Sequence, residues 1–294
     1  MAALAEWHHV TKDYHGKGVF DLCLQLDEGE TLGFLGPNGA GKTTTIRQLM
    51  GFIRPDHGTV RLFGQDPFVS CAVQTRVGYL PGETAFPPDM TGGQFLHFMA
   101  RYRGANCLAR AEQLAEYFEL DVGGKLKRMS KGTKQKVAIV NAFMLDPQLY
   151  VLDEHTSGLD PLMQNRFVEL VRAEQKRGKT ILLSSHMFEE VEKTCQRTAI
   201  IREGHIVAVR DMQALSNSRR KLFTVELDTS AQAEQCAAAF SGAQVSGVHV
   251  TFPVTARQAD AAVKKLAQFC VKDISVRSQT LEELFLHFYE EEEA

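Results

Sequence analysis

Thr31-Leu32-Gly33-Phe34-Leu35-Gly36-Pro37-Asn38-Gly39-Ala40-Gly41-Lys42-Thr43-Thr44 is the stretch that decides the fold. Its first five residues form an apolar run of buried-strand length. The segment Gly36 to Thr43 then follows the spacing G-x-x-x-x-G-K-[ST], and Thr43 to Met50 reads as a helix closed by Gly51. Strand, glycine-rich loop and helix, in that order, are the setting a phosphate-binding loop requires. The glycines let successive backbone N–H groups turn inward around phosphate oxygens. The start of the helix directs its positive dipole end at the same charge. Lys42 is placed to reach the β- and γ-phosphates of a nucleotide, and the Thr43 hydroxyl to sit on Mg²⁺. Gly36, Pro37, Asn38, Gly39, Ala40, Gly41, Lys42, Thr43 and Thr44 are therefore the candidate phosphate contacts.

Working outward, a second motif narrows the chemistry. Leu149-Tyr150-Val151-Leu152-Asp153-Glu154 is a buried strand that ends in two carboxylates. At a strand end both can face the cleft above the sheet. Asp153 suits a Mg²⁺ ligand acting through water, and Glu154 the group that orients or deprotonates an attacking water. The second carboxylate argues for hydrolysis over transfer to a second substrate.

The surrounding pattern is α/β. Strands are expected at 19–26, 31–35, 59–64, 77–80, 149–152 and 180–183, with a hairpin over 198–209 that turns at Glu203-Gly204. A helical insertion is expected at about 85–145, where apolar residues recur at three- and four-residue spacing. Polar residues 210–220 read as a linker. The order strand, helix, strand, strand, helix, strand then follows from Leu222 to Val276, which is the ferredoxin-like split arrangement. A last helix is expected over 281–289, running into an acidic tail.

The 294 residues carry a net charge of −3, which gives no electrostatic reason to expect nucleic acid as a ligand. No apolar run approaches the roughly 18–20 residues of a membrane-spanning helix, and Met1 to Val10 has no secretion-signal pattern. The six cysteines lie far apart, with no metal-like pair spacing and no disulfide framework expected. These features lead one to expect a cytoplasmic chain of about two domains, whose membrane role would need a partner.

The order of motifs resembles the ATP-binding subunit of an ABC transporter, over about residues 4–215. Met129-Ser130-Lys131-Gly132-Thr133 is similar to that family's signature segment, usually Leu-Ser-Gly-Gly-Gln. Ser157-Gly158-Leu159-Asp160 is similar to its D-loop, and Ser184-Ser185-His186 to the strand end that carries its switch histidine. The resemblance implies a P-loop NTPase fold, with a RecA-like core, a helical subdomain and an antiparallel β subdomain. It implies ATP and Mg²⁺ as ligands, Tyr14 stacked on adenine, and Glu154 with His186 as catalytic residues. It also implies two chains packed head to tail, either as a homodimer or with a paralogous ATPase subunit. ATP would then lie between one phosphate loop and the partner's Ser130, Lys131, Gly132 and Thr133. Asp160 belongs to the D-loop, and Thr43 and Asp153 to the metal.

Three departures stand out. Where the family has Gln after the third core strand, this chain has Gly82 followed by Glu83, so Glu83 is the candidate metal and water ligand there. His155 replaces the usual Pro after the catalytic glutamate, and Lys131 replaces a signature Gly. The resemblance divides the chain into an ATPase domain, 1–215, and a small α+β accessory domain, 216–294. Ser278 to Leu286 resembles the tail of exporter subunits of the drug-resistance type. The expected function is ATP hydrolysis driving export through a separate membrane permease, with the chain on the inner face of the membrane. The alternative is an ABC-type ATPase in a non-transport process.

Overall fold

The computed structural model describes residues 3–70, 72–104, 106–154, 156–218, 220–280 and 283. The chain divides into two compact units, one ending at Met212 and the other beginning at Gln213.

The first unit opens with β1 (Ala3–Asp13), β2 (Gly18–Asp27), β3 (Thr31–Leu35), α1 (Lys42–Leu49), β4 (His57–Leu62) and β5 (Val77–Leu80). Three helices follow: α2 (Gly92–Tyr102), α3 (Leu108–Tyr117) and α4 (Lys131–Phe143). The chain then returns to the sheet with β6 (Leu149–Asp153), α5 (Pro161–Lys176), β7 (Thr180–Ser185), α6 (Phe188–Thr194), β8 (Arg197–Arg202) and β9 (His205–Asp211).

Six strands form one sheet in the order β5-β6-β7-β3-β8-β9, with only β9 antiparallel to its neighbour. Every residue of β3, β6 and β7 is buried, as expected of parallel strands covered on both faces. A second, antiparallel sheet has the order β2-β1-β4. One apolar core joins the two sheets, with Trp7, Leu22, Leu26, Phe34, Ile46 and Val151 among its members. Each such side chain contributes roughly 1.5–3 kcal/mol of burial.

The helical insertion falls where the periodicity puts it. Thr91 opens α2 with a capping box: its hydroxyl accepts from the Gln94 N–H, and the Gln94 side chain accepts from the Thr91 N–H. A buried carboxylate helps tie the insertion to the core. Glu174 on α5 accepts from Arg110 of α3 at 2.5 Å, from Arg177 at 2.7 Å and from the Tyr150 hydroxyl at 3.2 Å.

Two elements escaped the periodicity. In β1, Trp7 and Val10 are both buried, and the ladder to β2 shifts register between them. A bulge there breaks the period of two that marks a strand. Residues 210–220 are not a linker: β9 runs to Asp211, and Met212–Ser218 form a helix, α7. Met212 and Leu215 are both buried, and their spacing of three suits one helical face.

The second unit comprises β10 (Lys221–Leu227), α8 (Ser230–Ala238), β11 (Gln244–Ser246), β12 (His249–Val254), α9 (Ala259–Leu266) and β13 (Val271–Ser278). Its sheet has the order β11-β12-β10-β13, all antiparallel, as the split βαβ arrangement requires. Phe223, Val225, Phe252, Cys236 and Leu266 lie in its own core. The helix expected at 281–289 lies outside the described residues, apart from Glu283. The Glu283 carboxylate accepts two hydrogen bonds from Arg277 at 2.6 and 2.9 Å, an arrangement that pulls its pKa down to about 2.

Candidate active site

The phosphate loop leaves β3 and turns into α1 with Gly41 at φ 109°. A side chain at Gly41 would be strained, and its Cβ would meet Gly18 O at 2.8 Å. The loop is thus seated on the start of β2. Tyr14 lies in the turn just before that strand, with its N–H donating to Lys17 O at 2.6 Å. Tyr14 is 46% exposed, and Lys12 Nζ lies over its ring, 5.5 Å from the centroid.

Lys42 is 3% exposed. Its Nζ donates to Gly36 O at 2.7 Å and Pro37 O at 3.0 Å, and lies 3.4 Å from Glu154 Oε1. The ammonium is therefore held inside the loop, among acceptors that phosphate oxygens can replace.

The ends of three parallel strands bring the carboxylates to this loop. Asp153 pairs in register with Ser184, and Leu35 with Ser185, so β6, β7 and β3 end level with one another. This is the carboxyl edge of the sheet, where open α/β folds bind ligands. Asp153 is 1% exposed. Burial pushes its pKa above the ordinary 3.8, while hydrogen bonds from Ser184 and Thr43 oppose that rise. Ser184 Oγ donates to Asp153 Oδ1 at 2.5 Å. A buried carboxylate whose hydrogen-bond partners are two hydroxyls, one of them Thr43, fits Mg²⁺, which takes hard oxygen donors and keeps several waters.

Glu154 has φ 43°, in the left-handed region. That conformation costs on the order of 1 kcal/mol. It is held by the Glu154 N–H, which donates to both Ser184 O and Ser184 Oγ at 3.2 Å. His186 is exposed and follows β7 directly, one residue beyond Ser185. His155 lies outside the described residues.

The structure adds two participants, Ser184 and Glu190, and places a third position, Gly82, that the sequence singles out only as a departure. Ser184 serves both carboxylate residues at once, through the contacts above. Glu190, buried on α6, accepts from the Thr156 hydroxyl and from Ser185 Oγ, the latter at 2.7 Å. It thereby clasps the end of β7, next to His186, to the segment that follows β6 and Glu154. Nothing in the sequence separates Glu190 from its neighbour Glu189. The third is Gly82. A Cβ there would lie 3.8 Å from Asp153 Cγ and 3.7 Å from Glu154 Cβ, in ordinary contact distance. Gly82 is therefore the position that faces the carboxylates, and Glu83 beside it is exposed.

The signature segment begins a helix. Ser130 caps α4, its Oγ accepting from the Thr133 N–H at 3.1 Å. Gly132 packs so closely on the D-loop that a Cβ would sit 2.6 Å from Gly158 O. Lys131 Nζ donates to Ser157 Oγ at 2.8 Å. Asp160 caps α5 by accepting from the Met163 N–H at 2.9 Å. Among the described residues, no hydrogen bond or ion pair joins 130–133 to the phosphate loop of the same chain.

The ABC transporter family pattern matches residues 19–157, the span from β2 through both carboxylates. The chain is 34% identical to the Nod factor export ATP-binding protein I of Paraburkholderia xenovorans (strain LB400), an alignment that covers 97% of this chain and 96% of the relative. The chain belongs to the ABC transporter ATP-binding family. Its second unit is included in that full-length match. The ABC transporter ATP-binding protein NatA of Bacillus subtilis (strain 168) is 37% identical over 69% of this chain and 86% of its own. A solved ATP-binding subunit of an ABC transporter superposes with a TM-score of 0.66 at 30% identity, over 72% of this chain and 91% of that one. The chain is an ATPase of this family, with the P-loop NTPase fold. Among the described residues, no helix is long and apolar enough to cross a membrane.

Proposed function

We propose that this chain is the ATP-hydrolysing subunit of an exporter and works as a head-to-tail dimer beneath a separate integral membrane permease, on the inner face of the membrane. The observation that carries the chemistry is the convergence of Lys42, Asp153, Glu154 and Ser184 at the carboxyl ends of β3, β6 and β7. The relative's described role in Nod factor export supports export as the direction.

Each residue has a role that its geometry permits. Lys42 exchanges its two carbonyl acceptors and Glu154 for the β- and γ-phosphate oxygens. The freed Glu154 accepts a proton from the attacking water and aligns it. Asp153 and the Thr43 hydroxyl would hold Mg²⁺, which would supply charge neutralisation at the phosphates. His186 donates to the γ-phosphate, and Tyr14 stacks on adenine. Glu83, exposed beside Gly82, would be the ligand that the loop offers to the metal or its water. Residues 1–215 act as the ATPase domain and 216–294 as the accessory domain, with no catalytic residue assigned to the latter.

The dimer follows from the signature segment. Ser130 and Thr133 present a capped helix start, which favours an anion. Among the described residues they make no bond to their own phosphate loop, which agrees with a role toward a partner's nucleotide. The γ-phosphate then supplies the differential contact between closed and open states.

The test is Glu154→Gln. The purified variant is expected to bind MgATP, to hydrolyse it far more slowly and to elute as a dimer. A variant that stays monomeric with MgATP and turns over normally would overturn both the catalytic assignment and the dimer.

A further inference from the structure

Ahead of the phosphate loop in the chain, β1 and β2 carry a second cluster of chemically active groups. His9, Asp21 and Cys23 are all exposed, and a ring nitrogen of His9, a carboxylate oxygen of Asp21 and Cys23 Sγ lie within 4.8 Å of one another. His9 Nδ1 is 2.7 Å from Asp21 Oδ1, and the His9 N–H donates to Cys23 Sγ at 3.3 Å.

Regular strands would not make this cluster. The β1–β2 ladder shifts register between Trp7 and Val10 and again between Val10 and Lys12. The β1–β4 ladder shifts between His8 and Thr11. At these bulges His9 has φ 49° and Asp21 φ 48°, a conformation that non-glycine residues rarely adopt. The Asp21 N–H is held by Thr11 Oγ1 at 3.0 Å. Bulges re-aim side chains, and here two of them turn three donors toward one point. Packing does not demand it, because all three side chains face solvent.

We infer that His9, Asp21 and Cys23 form a binding site for a divalent transition-metal ion of the zinc class, with water completing the coordination. The donor set is one imidazole nitrogen, one thiolate and one carboxylate oxygen. That mixture selects zinc-like ions over Mg²⁺ and Ca²⁺, which prefer oxygen alone. Zinc-type bonds of about 2.0–2.3 Å separate tetrahedral ligand atoms by roughly 3.5 Å, so the three donors need only small side-chain rotations to reach that spacing. On binding, Cys23 releases its thiol proton to solvent. The coordinating nitrogen of His9 carries no proton in the bound state: a neutral ring keeps its one proton on the other nitrogen, and a doubly protonated ring releases the extra proton to solvent. Affinity therefore falls as pH drops.

The probe is Co²⁺, titrated into the full-length untagged chain in excess Mg²⁺, which occupies the hard oxygen sites. The expected result is one Co²⁺ per chain with a thiolate-to-cobalt charge-transfer band, displaced by Zn²⁺. Cys23→Ser should abolish the band, and His9→Ala should weaken binding by about tenfold or more. Cys270→Ser, which removes an exposed cysteine of the second unit, should leave both unchanged. No thiolate band in the parent chain, a band that survives Cys23→Ser, or unchanged affinity in His9→Ala would each overturn the site.

Discussion

Replacing Ser184 with alanine removes one hydroxyl that serves two carboxylate residues. Ser184 is fully buried and donates to Asp153 Oδ1 at 2.5 Å while accepting from the Glu154 N–H at 3.2 Å. A hydrogen bond to a charged group contributes about 1.5–3 kcal/mol. Losing it removes an interaction that favours the ionised form and raises the Asp153 pKa further. The sign follows from burial: the folded pKa already lies above 3.8. Without a cation, ionising this buried carboxylate therefore opposes folding. The associated loss of stability grows as pH rises from the ordinary value through the raised one. Mg²⁺ needs the ionised form, so its affinity falls as pH drops through the raised folded value. In Ser184→Ala the acidic limb of ATP hydrolysis should move to higher pH, and at fixed pH about tenfold more Mg²⁺ should be needed for half-maximal rate. The assay is steady-state phosphate release across a grid of pH and free Mg²⁺. Ser185→Ala, which disturbs Glu190 instead, is the control and should leave the Mg²⁺ dependence in place. Unchanged Mg²⁺ dependence with an unmoved acidic limb in Ser184→Ala would refute the argument.

Three further outcomes are expected. Gly82→Gln fits, because its Cβ meets only ordinary contacts at 3.5 Å and beyond; it should preserve folding and lower the Mg²⁺ needed for hydrolysis, whereas Glu83→Ala should raise it, both read in the same titration. Lys131→Ala cuts the 2.8 Å bond to Ser157 and should cost about 1 kcal/mol or less in stability, while lowering the cooperativity of hydrolysis with ATP, measured from the Hill slope. Glu174→Ala leaves Arg110, Arg177 and Tyr150 without their shared acceptor; it should destabilise the first unit by about 3 kcal/mol and lower its melting temperature by roughly 10 °C in calorimetry.

The local motifs were legible because their chemistry is contiguous. A phosphate loop is one strand end, one turn and one helix start, and its glycines, Lys42 and Thr43 are adjacent in the chain. Asp153 and Glu154 end an apolar run that can only be a buried strand. The helical insertion and the split βαβ order of the second unit were equally plain, since each rests on apolar spacing within short windows. What failed was local regularity that the tertiary structure interrupts. Bulges at His9 and Asp21 hid β1, and seven residues of polar sequence concealed α7.

The sequence by itself determined the strand, loop and helix that bind phosphate, the two carboxylates, and the order of elements, because periodicity and motif spacing act over neighbouring residues. Only the tertiary structure decided that Ser184 braces both carboxylates, that Glu190 clasps the end of β7 to the segment after β6, that Gly82 rather than Glu83 faces Asp153, and that His9, Asp21 and Cys23 meet. Those contacts join residues far apart in the chain. They depend on strand register, on where bulges fall and on how closely backbones approach, and no pattern along one segment encodes them.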